Sequence, residues 1–182
     1  MQKRQVLQEV SIRQFIMTAF RELLVERDYD KIKVQHIADR AGISRTTFYL
    51  HFQHKDHLLE VVTEMMLAEF ISYYQQSSDR QGHHSSVDYT TRQLCEHIER
   101  NVDFYKERMQ DEAFNGLLFK HLYEALEVHL QNDALSTFTA YGTIGYLKRW
   151  IERGCRTPVG EAAAGLRDIG QAHFVRPAGR EA

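Results

Sequence analysis

The sequence predicts an all-α protein in two parts, a three-helix head followed by a larger helical bundle. Three observations point there. Apolar residues recur at i, i+3, i+4 and i+7 along most of the chain, the period of a half-buried helix. Only 2 prolines and 10 glycines occur in 182 residues, and strand-like alternation is scarce. Residues 34–52 read as two short helices joined by a tight turn at Gly42.

Residues 1–8 are polar and expected to be frayed. A first helix is expected over 9–27, with Ile12, Phe15, Ile16, Ala19, Phe20, Leu23 and Leu24 forming its apolar stripe. Asp28-Tyr29-Asp30 breaks it. The second and third helices, 34–41 and 45–51, bury Val34, Ile37, Ala38, Ala41, Ile43 and Phe48. Ala38 is small where the helices must pass closely, and Gly42 supplies the positive φ of a sharp helix exit. Ser44 offers its hydroxyl to the free N–H groups of the following helix. This is the layout of a helix-turn-helix, whose second helix enters the major groove of DNA.

A long fourth helix is expected over 55–76, with Leu58, Leu59, Val62, Met65, Met66, Phe70 and Tyr73 inward. The polar run from Ser77 to Ser86 reads as a loop within one body. Helices over 87–108, 111–131, 134–153 and 158–170 follow. Gly154 closes the third of these and Pro158 opens the last. Residues 173–182 read as a loose tail. The expected division is a helix-turn-helix DNA-binding domain over 1–54 and a helical domain over 55–182.

The net charge is −2, and hydrophobic residues make up 43% of the chain, enough for a core. Residues 1–60 hold 10 Lys/Arg against 8 Asp/Glu, and residues 61–182 hold 13 against 17. The positive half carries the helix-turn-helix. Cys95 and Cys155 are the only cysteines, which is no disulfide framework and fits thiols in a reducing cytoplasm. No signal peptide or long apolar run occurs, so a soluble cytoplasmic protein is expected.

On the third helix, Arg45 can hold a guanine edge bidentately, and the methyls of Thr46 and Thr47 can meet a thymine methyl. Tyr49, His51 and Lys55 suit phosphate, Lys55 lying where the N–H groups at a helix start also favour anions. Ser44 is read first as a cap. His51, His54 and His57 are spaced by three, but no converging carboxylate or cysteine accompanies them, and no metal is expected.

The N-terminal third, residues 12–62, resembles the TetR family of bacterial transcriptional regulators. The resemblance is carried by Ala19-Phe20, Tyr29, Val34, Ile37-Ala38, Ala41-Gly42-Ile43-Ser44, Thr47-Phe48-Tyr49, His51-Phe52, Lys55 and Leu58-Leu59. The chain departs from the family pattern at Asp28, usually glycine, and at Lys33, usually threonine. Lys33 forgoes a side-chain cap and could add a phosphate contact. Phe138, Tyr141, Gly142, Gly145, Trp150-Ile151, Gly154 and Pro158 resemble a C-terminal class that includes regulators of dihydroxyacetone kinase operons.

The resemblance implies a homodimer on a palindromic double-stranded DNA operator, most often a repressor, released by a small-molecule effector. The implied pocket draws on Phe70, Tyr73, Tyr74, Phe104, Tyr105, Phe114, Phe119 and Tyr123, an apolar cluster with a few orienting hydroxyls. The implied dimer face draws on Tyr141, Gly142, Gly145, Trp150 and Ala163. Glycines three apart on one helix face point to close backbone approach. An alternative is a DNA-binding adaptor whose body holds a protein co-regulator instead of a small ligand. No Ser/His/Asp, Cys/His or phosphate-loop arrangement suggests an enzyme, no cofactor is implied, and the core-like apolar faces disfavour a membrane partner.

Overall fold

The computed structural model describes residues 2–77 and 83–172, and among them every regular element is helical. In chain order these are α1 (Gln2–Glu26), a 3-10 turn (Tyr29–Lys31), α2 (Val34–Ala41), α3 (Arg45–His51), α4 (Lys55–Ser77), α5 (His83–Arg100), α6 (Val102–Arg108), α7 (Glu112–Leu130), α8 (Asp133–Glu152) and α9 (Val159–Ala172). The contacts divide the chain into two compact units, Met1–Met66 and Leu67–Ala182, so α4 contributes to both.

In the first unit, Ile16, Ala19, Phe20 and Leu23 of α1 are buried with Ile32, with Ile37 and Ala38 of α2, with Phe48 and Phe52, and with Leu58, Val62 and Met66 of α4. Val34, Ala41 and Ile43 are half-buried, at the margin of that core. Arg40 ties α2 to α1: its Nη2 donates to both carboxylate oxygens of Glu26, at 2.8 and 2.7 Å. α1 begins at Gln2, seven residues ahead of the expected start, because a polar composition without glycine or proline does not stop a helix.

In the second unit, the core is drawn from Phe70 of α4, Leu94, Cys95 and Ile98 of α5, Phe104 and Tyr105 of α6, Phe114, Leu118, Leu122 and Leu126 of α7, Ala140, Leu147 and Ile151 of α8, and Leu166 of α9. α9 packs against α5 and α8.

Two further boundaries differ from the sequence reading. Residues 83–86, read as loop, are the first turn of α5; residues 78–82 and the expected tail 173–182 lie outside the described residues. The single helix read over 87–108 is two helices. At Asn101 the side-chain amide donates to the His97 carbonyl at 2.8 Å, taking the acceptor that continued α-helix would give to the Asn101 backbone N–H. That N–H turns instead to Ile98, three residues back, at 3.1 Å.

Helix ends follow local chemistry elsewhere. Asp111 accepts from the Ala113 N–H at the start of α7, and Asn132 from the Leu135 N–H at the start of α8. Among the described residues no helix is long and apolar enough to cross a membrane.

Candidate nucleic-acid interface

The α2–turn–α3 segment is built as its residues require. Gly42 sits at φ 67°, ψ 32°, the left-handed region, and its N–H and that of Ile43 close back on α2 carbonyls. A Cβ at Gly42 would meet nothing within 4 Å, so glycine is needed there for its φ and not for space. Ser44 caps α3: its Oγ accepts the Thr47 N–H at 3.0 Å and lies 2.9 Å from the Thr47 hydroxyl. Both hydroxyls are therefore engaged in starting the helix.

Lys33 lacks the family's hydroxyl cap. The opening turn of α2 is closed by His36 instead, whose Nδ1 accepts the Lys33 N–H at 3.2 Å. The ammonium-bearing Lys33 side chain is exposed.

On α3, Phe48 is fully buried, Thr47 and His51 are half-buried, and Arg45, Thr46, Tyr49 and Leu50 are exposed. The carbonyl of His51 accepts from Arg13 at 3.2 Å, and the Arg13 guanidinium lies 4.6 Å from the centre of the Phe52 ring. The C-terminal end of α3 is thus held by α1.

Lys55 is placed differently from a free phosphate clamp. Its Nζ donates to the Tyr29 carbonyl at 2.8 Å and stands 3.8 Å from the centre of the Tyr29 ring. The Tyr29 hydroxyl donates to Asp56. Lys55 is half-buried and ties the 3-10 turn to the start of α4. His54 and His57, the other members of the histidine triplet, cap that same start. His54 Nδ1 accepts the His57 N–H at 3.0 Å and His57 Nδ1 accepts the Gln53 N–H at 3.2 Å. The sequence signal for this role was the three-residue spacing itself, which is that of a reciprocal cap as much as of a metal site.

The eight aromatic residues expected around a ligand separate into two groups. Phe70, Tyr73, Tyr74, Phe104, Tyr105 and Phe114 form one linked cluster in the second unit, and three of them stand against a residue the sequence reading did not single out, His97. Its ring lies 5.8 Å from Tyr73, 6.3 Å from Phe70 and 5.5 Å from Tyr105. His97 is fully buried, with Nε2 2.7 Å from the Tyr105 hydroxyl and Nδ1 3.2 Å from Glu69 Oε1. The Tyr73 hydroxyl donates to the same Glu69 oxygen at 3.0 Å. Burial alone would push the Glu69 carboxyl up, but the neighbouring His97 charge and the two hydrogen bonds hold it below its ordinary value. Burial pushes the Tyr74 phenol up, opposed by its hydrogen bond with Thr143 of α8. A lone histidine between Leu94 and Ile98 on an apolar helix face was the available signal for this network.

Phe119 and Tyr123 belong elsewhere. They stack on one another at 6.0 Å, Phe119 stacks on Tyr141 at 4.3 Å, and the Tyr123 hydroxyl donates to Asp133 at 2.8 Å. Their placement has a simple cause: α7 turns Phe114, Leu118 and Leu122 inward, which rotates Phe119 and Tyr123 toward α8.

The dimer-face residues separate likewise. Tyr141 is 62% exposed and Gly145 is exposed, whereas Trp150 and Ala163 are buried within their own chain. The Trp150 indole N–H donates to the Thr157 carbonyl at 3.0 Å. Gly142 would tolerate a Cβ, 3.7 Å from Ile169, and a Cβ at Gly145 would meet nothing within 4 Å. The tight glycine contact is instead at Gly165 of α9, where a Cβ would stand 2.5 Å from the Tyr146 side-chain hydroxyl oxygen. That hydroxyl donates to the Ala162 carbonyl at 2.9 Å.

The first unit is thus a helix-turn-helix head, the class of protein that sets a short helix into DNA. Residues 16–62 match the family model for bacterial regulatory proteins of the tetR family, and residues 86–171 match a model described as a transcriptional regulator C-terminal region. The chain belongs to the TetR family of DNA-binding transcriptional regulators.

An uncharacterised helix-turn-helix regulator of Haemophilus influenzae is 27% identical over 141 residues, 76% of this chain and 67% of that protein. The dhaKLM operon transcriptional activator DhaS of Lactococcus lactis is 32% identical over 91 residues, 50% of this chain and 45% of its own length. Among solved structures, the dihydroxyacetone kinase operon activator DhaS has a TM-score of 0.72 at 20% identity, covering 90% of this chain and 96% of that one. SmeT, the repressor of a Stenotrophomonas maltophilia multidrug efflux pump, has a TM-score of 0.72 at 15% identity, covering 88% and 89%. At these identities the solved structures carry the fold.

Proposed function

We propose that this chain is a cytoplasmic homodimeric repressor that holds a palindromic operator and releases it when a small molecule binds the second unit. The observation that carries the reading is the exposed face of α3, where Arg45, Thr46 and Tyr49 stand together behind a capped turn. Arg45 and Thr46 face base edges, and Tyr49, His51 and Lys33 serve phosphates. Lys55 adds charge from the position that Tyr29 gives it. Two heads must present α3 to major grooves about 34–36 Å apart or a multiple of it.

The dimer contact uses the exposed stripe of α8, Phe138, Tyr141 and Gly145, with Phe119 stacked behind it. The effector lies among the aromatic residues around His97, with the Glu69 carboxylate and the Tyr73, Tyr74 and Tyr105 hydroxyls as orienting groups. An effector with higher affinity for the DNA-free form lowers operator affinity, and DNA weakens effector binding by the same factor.

The test is selection of duplexes from a random DNA pool by the purified full chain, followed by affinity against salt. An inverted repeat bound far more tightly than random duplex supports the reading; weak, sequence-blind binding overturns it. A reporter driven from the selected sequence then reads the sign of regulation, with rising expression on deletion expected for a repressor.

A further inference from the structure

Leu50 is 78% exposed, more than any other large hydrophobic residue in the described chain. A solitary surface leucine needs no explanation by itself. This one stands on α3, on the face that also exposes Arg45, Thr46 and Tyr49 and lies opposite the buried Phe48. It does nothing for the core. Helical side chains lean toward the N-terminus, so the Leu50 isobutyl group lies over the turn that carries Thr46, four residues earlier. The Thr46 methyl and Leu50 thus form a short apolar strip, flanked by a guanidinium and a phenol.

A phosphate offers such a strip nothing. In the major groove, the apolar group that base edges present is the 5-methyl of thymine. We propose that Leu50, with the Thr46 methyl, reads thymine methyl groups in each operator half-site and so helps to set sequence preference. The inference rests on the reading of the chain as a DNA-binding regulator.

The test uses the full chain and the sequence selected from a random pool. Each thymine of the selected duplex is replaced singly by deoxyuridine, which deletes the 5-methyl and leaves the hydrogen-bonding edge intact. Affinity is measured for the natural chain and for Leu50→Ala, whose thermal unfolding should match the parent because the side chain is exposed. At one or two positions per half-site, deoxyuridine should weaken the natural chain about four-fold per methyl and leave Leu50→Ala unaffected. At other positions both proteins should respond alike. Equal responses of both proteins at every position, or a selected half-site without thymine, would overturn the Leu50 assignment while leaving the regulator reading in place. A pool that yields no enriched sequence would overturn both.

Discussion

Lys55→Ala should injure the head before it injures DNA binding. Lys55 donates to the Tyr29 carbonyl at 2.8 Å and lies 3.8 Å from that ring's centre, joining the 3-10 turn to α4. A charged donor on a part-buried carbonyl contributes about 1.5 kcal/mol, and a cation over an aromatic face about 0.5 kcal/mol. Losing both should lower local stability by about 2 kcal/mol, which is about thirty-fold faster amide exchange in segments that open together with this contact. Hydrogen exchange read by mass spectrometry on peptides spanning 29–34 and 55–62 measures this directly. Arg45→Ala is the control: Arg45 is exposed on α3, so exchange should stay unchanged while operator affinity falls and preference relaxes at one base. Unchanged exchange in Lys55→Ala, with DNA affinity reduced evenly over all sequences, would refute the structural role and leave Lys55 a phosphate contact alone.

Other perturbations test other parts of the molecule. Gly42→Ala meets no steric obstacle but must hold φ 67°, so it should cost about 1–2 kcal/mol, read as a lowered unfolding midpoint of the head; an unchanged midpoint would mean the turn relaxes. Glu69 is held below its ordinary carboxylate value of 4.5, so its contribution is complete above that value and is lost as pH falls through the lowered one. Glu69→Gln should therefore flatten the loss of melting temperature on acidification below about pH 4.5, and an identical acid limb would remove Glu69 from the cause. Burial pushes the Cys95 thiol up to about 12, with Cys155 and nearby glutamates adding to it, and burial also raises Cys155. A thiol reagent at neutral pH should label Cys155 slowly and Cys95 only on unfolding; fast labelling of both would contradict that burial. Gly145→Leu has room within one chain, so a loss of dimer in sedimentation without a lower melting point of the subunit would locate Gly145 between chains, and an unaltered dimer would count against that.

Periodicity and punctuation were enough to read the local architecture. The 3.6-residue apolar repeat marked the helices, and Gly42 and Ser44 marked the turn and the cap, because these depend on neighbours within about one turn of chain. The second and third helices are found at the bounds expected, Val34–Ala41 and Arg45–His51. The break at Asn101 was also local, yet it rests on a side-chain choice between water and the His97 carbonyl that periodicity does not encode.

What only the tertiary structure decided is which apolar face meets which partner. An apolar stripe requires burial but does not name what buries it. That is why Trp150 and Ala163 turned out to be core while Phe138 and Tyr141 stayed exposed, and why Phe119 and Tyr123 stack toward α8 while Phe70, Tyr73 and Tyr105 stand against His97. It is also why Lys55 found Tyr29 and Glu69 found His97, residues 26 and 28 positions away in the chain. Such pairs form because folding brings side chains from separate helices within hydrogen-bond reach, a distance set by packing and not by spacing in sequence.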